Sequence, residues 1–164
     1  MNQISTNLGT PLTKRIVEAL NVASVPYKIS THEPVRTSAE AALVRGSNEA
    51  EGAKALIFRA DGKPIQIVLQ GNRKVDKDKF KENYHINKLK MVSAEEVLEI
   101  SGVEPGGVPP FGNLFEPEIP VYCDDNLLKL DYIEFNAGDR SISIRMKSHD
   151  WQSVVNPDLG NFTE

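Results

Sequence analysis

Cysteine is almost absent. Cys123 stands alone among 164 residues, which excludes an internal disulfide and any zinc site built on several thiolates. Long apolar runs are missing too. No stretch approaches the ~18 residues of a membrane-spanning helix, and the opening MNQISTNLGTPLTKR has no apolar core of the signal-peptide kind. Nor is there a cationic excess. Nineteen Lys and Arg stand against 23 Asp and Glu, for a net charge of -4. That argues against a protein coating nucleic acid over its whole surface but leaves room for a local basic patch. The three histidines, His32, His85 and His149, lie far apart without HxH or HxxxH spacing. Neither a metal site nor a Ser-His-Asp or Cys-His arrangement is visible, so no metal and no cofactor is expected. These absences lead to the expectation of a reduced, cytoplasmic chain with no membrane partner.

What is present fits one ordinary globular domain. The composition is 40% hydrophobic and 26% charged, and the length matches the usual size of about 150 residues per domain. Residues 1–9 read as a flexible polar tail and 10–164 as a single domain. Thr10-Pro11 opens a helix with proline at its first position, and Leu12, Ile16, Ala19 and Leu20 share a face before Pro26. Tyr27 and Ile29 alternate with Lys28 and Ser30 as a short strand. Thr37-Ser-Ala-Glu40 is a capping-box pattern for a helix through Leu43 that Gly46 can close. Residues 54–60 and 64–70 flank Asp61-Gly62-Lys63, which predicts a hairpin. Asp76 caps a short helix over 76–83, and Ser93-Ala-Glu-Glu96 opens another that Gly102 follows. Strands are expected at 120–123, 130–136 and 141–146, and a last helix capped by Ser148 carries Trp151, Val154 and Val155. The fold class is α+β with a mixed or antiparallel sheet.

One stretch is too dense in glycine and proline for regular structure: Gly102-Val-Glu-Pro-Gly-Gly-Val-Pro-Pro-Phe-Gly112. It reads either as a plain connector or as a pre-set cradle whose backbone amides face a ligand.

Four segments occur in order: Lys54-Ala-Leu-Ile-Phe58, Gln70-Gly-Asn-Arg-Lys-Val-Asp76, Gly106-Gly-Val-Pro-Pro-Phe-Gly112 and Phe135-Asn-Ala-Gly-Asp-Arg140. Thr31-His-Glu-Pro-Val-Arg-Thr-Ser38 and Ala41-Ala42 precede them. Together they resemble the YbaK/EbsC family, related to the editing insertion of bacterial prolyl-tRNA synthetases, over roughly residues 25–155. The resemblance implies a mixed, largely antiparallel sheet that curls toward a barrel, with peripheral helices. It also implies hydrolysis, in trans, of the ester joining a wrong amino acid to tRNA. The family's lysine matches Lys54, its Gly-x-x-x-Pro loop matches Gly106 through Pro110, and its Asn/Ser-Ala-Gly turn matches Asn136-Ala137-Gly138. Asn136 stands where the alanine-editing subfamily commonly carries histidine. Asn113-Leu-Phe stands where the cysteine-removing branch tends to carry Met-Lys-Lys.

An aminoacyl ester is already activated, so its hydrolysis needs a positioned water, oxyanion stabilisation and a side-chain pocket. Under the resemblance Lys54 and the Gly106-Gly107-Val108 amides form the catalytic set. Thr37, Pro110, Asn136 and Gly138 line the substrate pocket. Read on pattern alone, Lys54 is a strand-edge lysine and Thr37 a helix cap. Cys123 reads as a small buried hydrophobe.

Residues 71–90 carry seven cationic side chains against three acidic ones, a basic island on an acidic chain. Such runs are often solvated faces, yet this one suits a partner touched only at its end. Arg73, Lys74, Lys77 and Lys79 are therefore expected to hold the tRNA acceptor end, with an aminoacyl-tRNA synthetase or elongation factor as a further partner. Two rivals keep the same fold: a catalytically silent tRNA- or synthetase-binding module, and a small-molecule hydrolase or nucleotide-binding protein using the same pocket.

Overall fold

The computed structural model describes residues 9–34, 37–46 and 48–164. Helix α1 (Pro11–Ala23) opens at Thr10. The Thr10 hydroxyl accepts from the Thr13 amide at 3.3 Å, and the Thr13 hydroxyl accepts from the Thr10 amide at 3.0 Å. Its buried stripe is Leu12, Thr13, Ile16, Val17 and Leu20, and Ser24 ends it in the left-handed region at φ 57°. There follow β1 (Tyr27–Thr31), α2 (Ser38–Arg45), β2 (Ala53–Ala60), β3 (Lys63–Gln70), α3 (Lys77–Tyr84), β4 (Leu89–Met91) and α4 (Ala94–Ser101). Beyond the glycine-rich loop come β5 (Val121–Asp124), β6 (Tyr132–Asn136), β7 (Ile142–Lys147), α5 (Ser148–Val155) and β8 (Asp158–Gly160). The tail expected over 1–9 lies outside the described residues except for Gly9.

Two sheets form. One is antiparallel, in the order β1-β7-β6; the other is mixed, in the order β4-β2-β3-β5-β8. The hairpin of β2 and β3 turns on Asp61 and Gly62, both at positive φ (49° and 86°), as a two-residue loop matching strand twist requires. The Asp61 carboxylate accepts from the Lys88 amide at 2.8 Å, which seats β4 beside β2. β3 pairs parallel with β5, and β5 parallel with β8. Among the described residues one parallel bridge, Gly52 to Glu134, joins the two sheets. The expected curl toward a barrel thus stops short of closure, because among the described residues the two sheets share only that bridge and no strand ladder.

β3 is buried on both faces. Ile65, Ile67 and Leu69 pack with Phe58, Phe80 and Phe162 on one side, while Val68 joins the larger core on the other. Burying each such side chain is worth about 1.5–3 kcal/mol. That larger core packs Leu12, Ile16, Phe111 and Trp151 with Ile133, Phe135, Ile142 and Ile144 of the three-stranded sheet. Ser148 departs from its expected capping role. β7 runs into α5 without a loop, so Lys147 occupies the cap, and the Ser148 hydroxyl donates to the Leu130 carbonyl instead.

Candidate active site

Helix α2, the start of β2, the glycine-rich loop and the end of β6 enclose a cavity of about 260 Å³. Each wall has a local cause. The Thr37 hydroxyl caps α2 by accepting from the Glu40 amide at 3.0 Å, and Gly46 closes the helix at φ 71°. Steps of four then place Thr37, Ala41 and Arg45 on one helix face, and all three line the cavity. β2 contributes Ala53, Lys54, Ala55 and Leu56. The loop is anchored from below by buried Gln66, which donates to the Pro109 carbonyl at 2.9 Å and accepts from the Gly112 amide at 2.9 Å.

Five of the residues expected at the site meet there: Thr37, Lys54, Gly106, Val108 and Asn136. The Lys54 ammonium donates to the Arg73 carbonyl at 2.5 Å and approaches the Gly71 carbonyl at 3.5 Å. An ammonium has three donors, so at least one is left for the cavity. Burial holds the Lys54 pKa below its ordinary value; Glu49 pulls it back up and Lys74 pushes it further down.

The other expected residues stand elsewhere. Gly107 does not reach the cavity. Its amide donates to the Glu104 carbonyl at 3.0 Å and its carbonyl accepts from the Gly138 amide at 3.0 Å. With Gly138 it borders a separate cleft on the far side of the loop. Gly138 also locks the start of α1, since its carbonyl accepts from the Thr10 hydroxyl at 3.0 Å. Pro110 lies buried, with its carbonyl accepting from the Trp151 indole at 3.0 Å. Because a peptide group is planar and trans, its C=O and N–H point opposite ways. The Gly107 carbonyl faces Gly138, so the Val108 amide faces away from that turn, and Val108 lines the cavity. Among the described residues no backbone carbonyl takes the Gly106 or Val108 amide. Gly106 and Val108 thus line the cavity with amides that no described backbone carbonyl takes, while Gly107 braces the loop behind them.

Arg45 carried no signal in the sequence beyond being the one basic residue on its helix. Its Nη2 donates to Asn136 Oδ1 at 3.0 Å, and its Nε donates to Ser143 Oγ at 2.9 Å and lies 3.7 Å from Glu134 Oε2. The Asn136 amide in turn donates to the Gly106 carbonyl. Burial lowers the Arg45 pKa and the Glu134 charge opposes that shift. Arg73 and Lys74 sit beside Lys54, whereas Lys77 and Lys79 stand on α3, with Lys77 Nζ 5.9 Å from the Phe58 ring centre and Lys79 Nζ donating to the Thr163 carbonyl at 3.2 Å. The Cys123 thiol is buried among apolar neighbours, which pushes its pKa up and leaves it unreactive.

Among the described residues no three His, Cys, Asp or Glu side chains are placed to hold a metal, and no helix is long and apolar enough to cross a membrane. The cavity offers an ammonium, backbone amides and a carboxamide, which suit a carbonyl that becomes an oxyanion when water adds to it.

Comparison with known proteins agrees with that chemistry. Residues 32–154 match the family described as the aminoacyl-tRNA editing domain. A Multifunctional Ser/Thr-tRNA deacylase, ProXp-y of Escherichia coli, is 27% identical over 159 residues, which cover 94% of this chain and 94% of that protein. The Proline--tRNA ligase of Bacillus licheniformis is 34% identical over 94 residues, covering 57% of this chain and 16% of the ligase. A solved structure described as a candidate trans-editing enzyme for prolyl-tRNA synthetase superposes with a TM-score of 0.82 at 24% identity, covering 94% of this chain and 98% of that one, and so shares the fold. The chain belongs to the aminoacyl-tRNA editing domain family, hydrolases that act on aminoacyl-tRNA.

Proposed function

We propose that the chain is a trans-acting deacylase that hydrolyses the ester of tRNA mischarged with a small hydroxyl amino acid, serine or threonine. The observation that carries this reading is the cavity that Lys54, Gly106, Val108 and Asn136 line together. Action in trans is supported by the match over 94% of a deacylase, in contrast to the 16% of the prolyl ligase that is matched. The preference for serine or threonine is supported by that relative's name and by the wall chemistry, since the Thr37 hydroxyl lines the cavity and can pair with a substrate hydroxyl.

In this reading the acceptor-end ester enters with its carbonyl toward Val108. Water adds to the carbonyl carbon, and the Val108 and Gly106 amides stabilise the oxyanion that forms. Lys54 contributes positive charge to the same site and holds the Arg73 segment against it. Collapse of the tetrahedral adduct breaks the bond to the ribose oxygen, which takes a proton and leaves as the free tRNA end. Arg73 and Lys74 meet phosphates of the acceptor strand.

The test is a panel of tRNAs charged with Ala, Ser, Cys, Thr and Pro, scored for deacylation by the purified chain. Turnover of Ser- and Thr-tRNA above the others is the expected result. Turnover confined to Ala, Cys or Pro would overturn the specificity, and retention of every ester would leave a binding module without catalysis.

A further inference from the structure

The deepest cation of the site is Arg45, whose side chain is 7% exposed and lines the cavity without a task in the hydrolytic scheme. We infer that Arg45 is a positioning residue: it sets the orientation of Asn136, which clamps the Gly106 carbonyl and so aims the Val108 amide at the ester. The inference rests on the deacylase reading above.

The chemistry of the chain of contacts permits one arrangement. A guanidinium offers donors only, and the Gly106 carbonyl is an acceptor only. A carboxamide between them satisfies both in a single orientation, with Oδ1 toward Arg45 at 3.0 Å and the amide nitrogen toward Gly106. Arg45 is itself held from behind. Ser143 Oγ accepts from Arg45 Nε at 2.9 Å and lies 2.6 Å from His32 Nε2. His32 Nδ1 is 2.8 Å from the Glu33 carbonyl, which fixes the ring proton on Nδ1 and leaves Nε2 to accept from Ser143. Sheet register makes this compact, because Ser143 is the direct cross-strand partner of Asn136 on one side and of Ser30 on the other.

The clamp reaches the reacting centre through two rigid peptide planes. The first has its Gly106 C=O held by Asn136 and its Gly107 N–H held by Glu104; the second has its Gly107 C=O held by Gly138, which leaves the Val108 N–H pointing oppositely. Gly106, at φ 93°, is the flexible hinge before both planes. Without Arg45 the Asn136 amide is free to rotate and the hinge loses one of its restraints. A planar fork with two acceptors in place is not reproduced by lysine's single ammonium.

The test measures single- and multiple-turnover deacylation of Ser-tRNA and Thr-tRNA by Arg45→Lys, Asn136→Ala, the double variant and Asn136→Asp. Arg45→Lys keeps a cation beside Glu134, which also retains Arg145 at 2.8 Å, so the fold should hold. The expected result is a kcat about 10- to 100-fold lower with KM unchanged, the size of loss that small misplacement of reacting groups produces. The double variant should be no slower than Asn136→Ala, because Arg45 acts through Asn136. Asn136→Asp, which keeps the acceptor for Arg45 and removes the donor to Gly106, should lose as much. In substrate-free protein the Val108 amide should shift in NMR spectra of every one of these variants. Full kcat in Arg45→Lys, or losses that multiply in the double variant, would overturn the inference while leaving a functioning deacylase. An inactive wild type would instead overturn the reading beneath it.

Discussion

The Lys54 ammonium and the Arg73 carbonyl lie 2.5 Å apart, which ties the second residue of β2 to the segment that follows β3. One side chain thereby faces the cavity and fixes the first member of the basic island. Lys54→Met removes both the charge and the tether while keeping the apolar stem. Deacylation should fall about 100-fold or more, the scale for losing a group that stabilises transition-state charge. The cost in stability should be small, about 1 kcal/mol for one partly exposed hydrogen bond. Single-turnover rates and a thermal melt together check this; a wild-type rate in Lys54→Met would remove the ammonium from the chemistry.

Gly107 is a different case from its neighbours. A Cβ built there would lie 3.3 Å from the Arg140 nitrogen and from two Asp139 backbone atoms, none of which is the end of a flexible side chain. Gly107→Ala should therefore destabilise by about 1–3 kcal/mol through overpacking, lowering the melting temperature by several degrees in a domain of this size. Turnover at low temperature should drop less than in Lys54→Met. Full stability combined with a dead active site would restore Gly107 to the donor set.

Local signals were legible at most positions where the cause is local, Ser148 excepted because β7 runs directly into α5. Thr10, Ser93 and Asp76 cap helices by bonds to residues three positions away, and Asp61-Gly62 makes its turn from its own φ values. Gly106-Gly107-Val108 was legible as an irregular glycine-rich loop, but which of its residues border the cavity was not. That depends on Asn136, Glu104 and Gly138 capturing particular carbonyls and amides of the loop. Arg45 was invisible because its partner Ser143 is 98 residues distant. β8 was missed for a similar reason: Asp158-Leu-Gly160 has no alternation, and its strand character comes from the parallel edge that β5 offers. β4 is three residues long, too short to show a period.

Tyr84 predicts an alkaline limit to stability. Its ring packs 4.7 Å from those of Phe80 and Tyr122, and its hydroxyl donates to the Leu159 carbonyl at 3.1 Å. Burial, reinforced by the Asp158 charge, pushes its pKa up to about 12. The unfolded chain releases the same proton near 10. Between about 10 and 12 the unfolded state therefore binds fewer protons, and stability falls as pH rises through that window; below it the contribution is intact. Urea midpoints across the window should decline, and Tyr84→Phe should flatten the decline. Phenolate absorbance reports the titration directly, and a Tyr84 that ionises near 10 would refute the assignment.

The basic island should divide in two when salt is varied. The Arg73 carbonyl accepts from Lys54, the Arg73 guanidinium donates to Gln70 Oε1 at 2.8 Å and the Lys74 charge is felt at Lys54, while Lys77 Nζ lies over the Phe58 ring and Lys79 reaches the Thr163 carbonyl. Phosphate contacts carry no base identity, and each one releases counterions, so log affinity for tRNA should fall linearly with log salt. A chain of net charge -4 that grips only an acceptor end makes few such contacts, which gives a shallow slope of about -2 to -4. Arg73→Ala with Lys74→Ala should raise KM and reduce that slope by about 1 to 2. Turnover at saturating tRNA should survive, because these side chains hold ground and transition states alike. Lys77→Ala with Lys79→Ala should instead lower the melting temperature slightly and leave the slope close to that of the wild type. Deacylation rate against tRNA concentration, at several salt concentrations, separates the pairs. A slope that drops only in the Lys77 and Lys79 variant would put the RNA across α3 and away from the Lys54 side of the cavity.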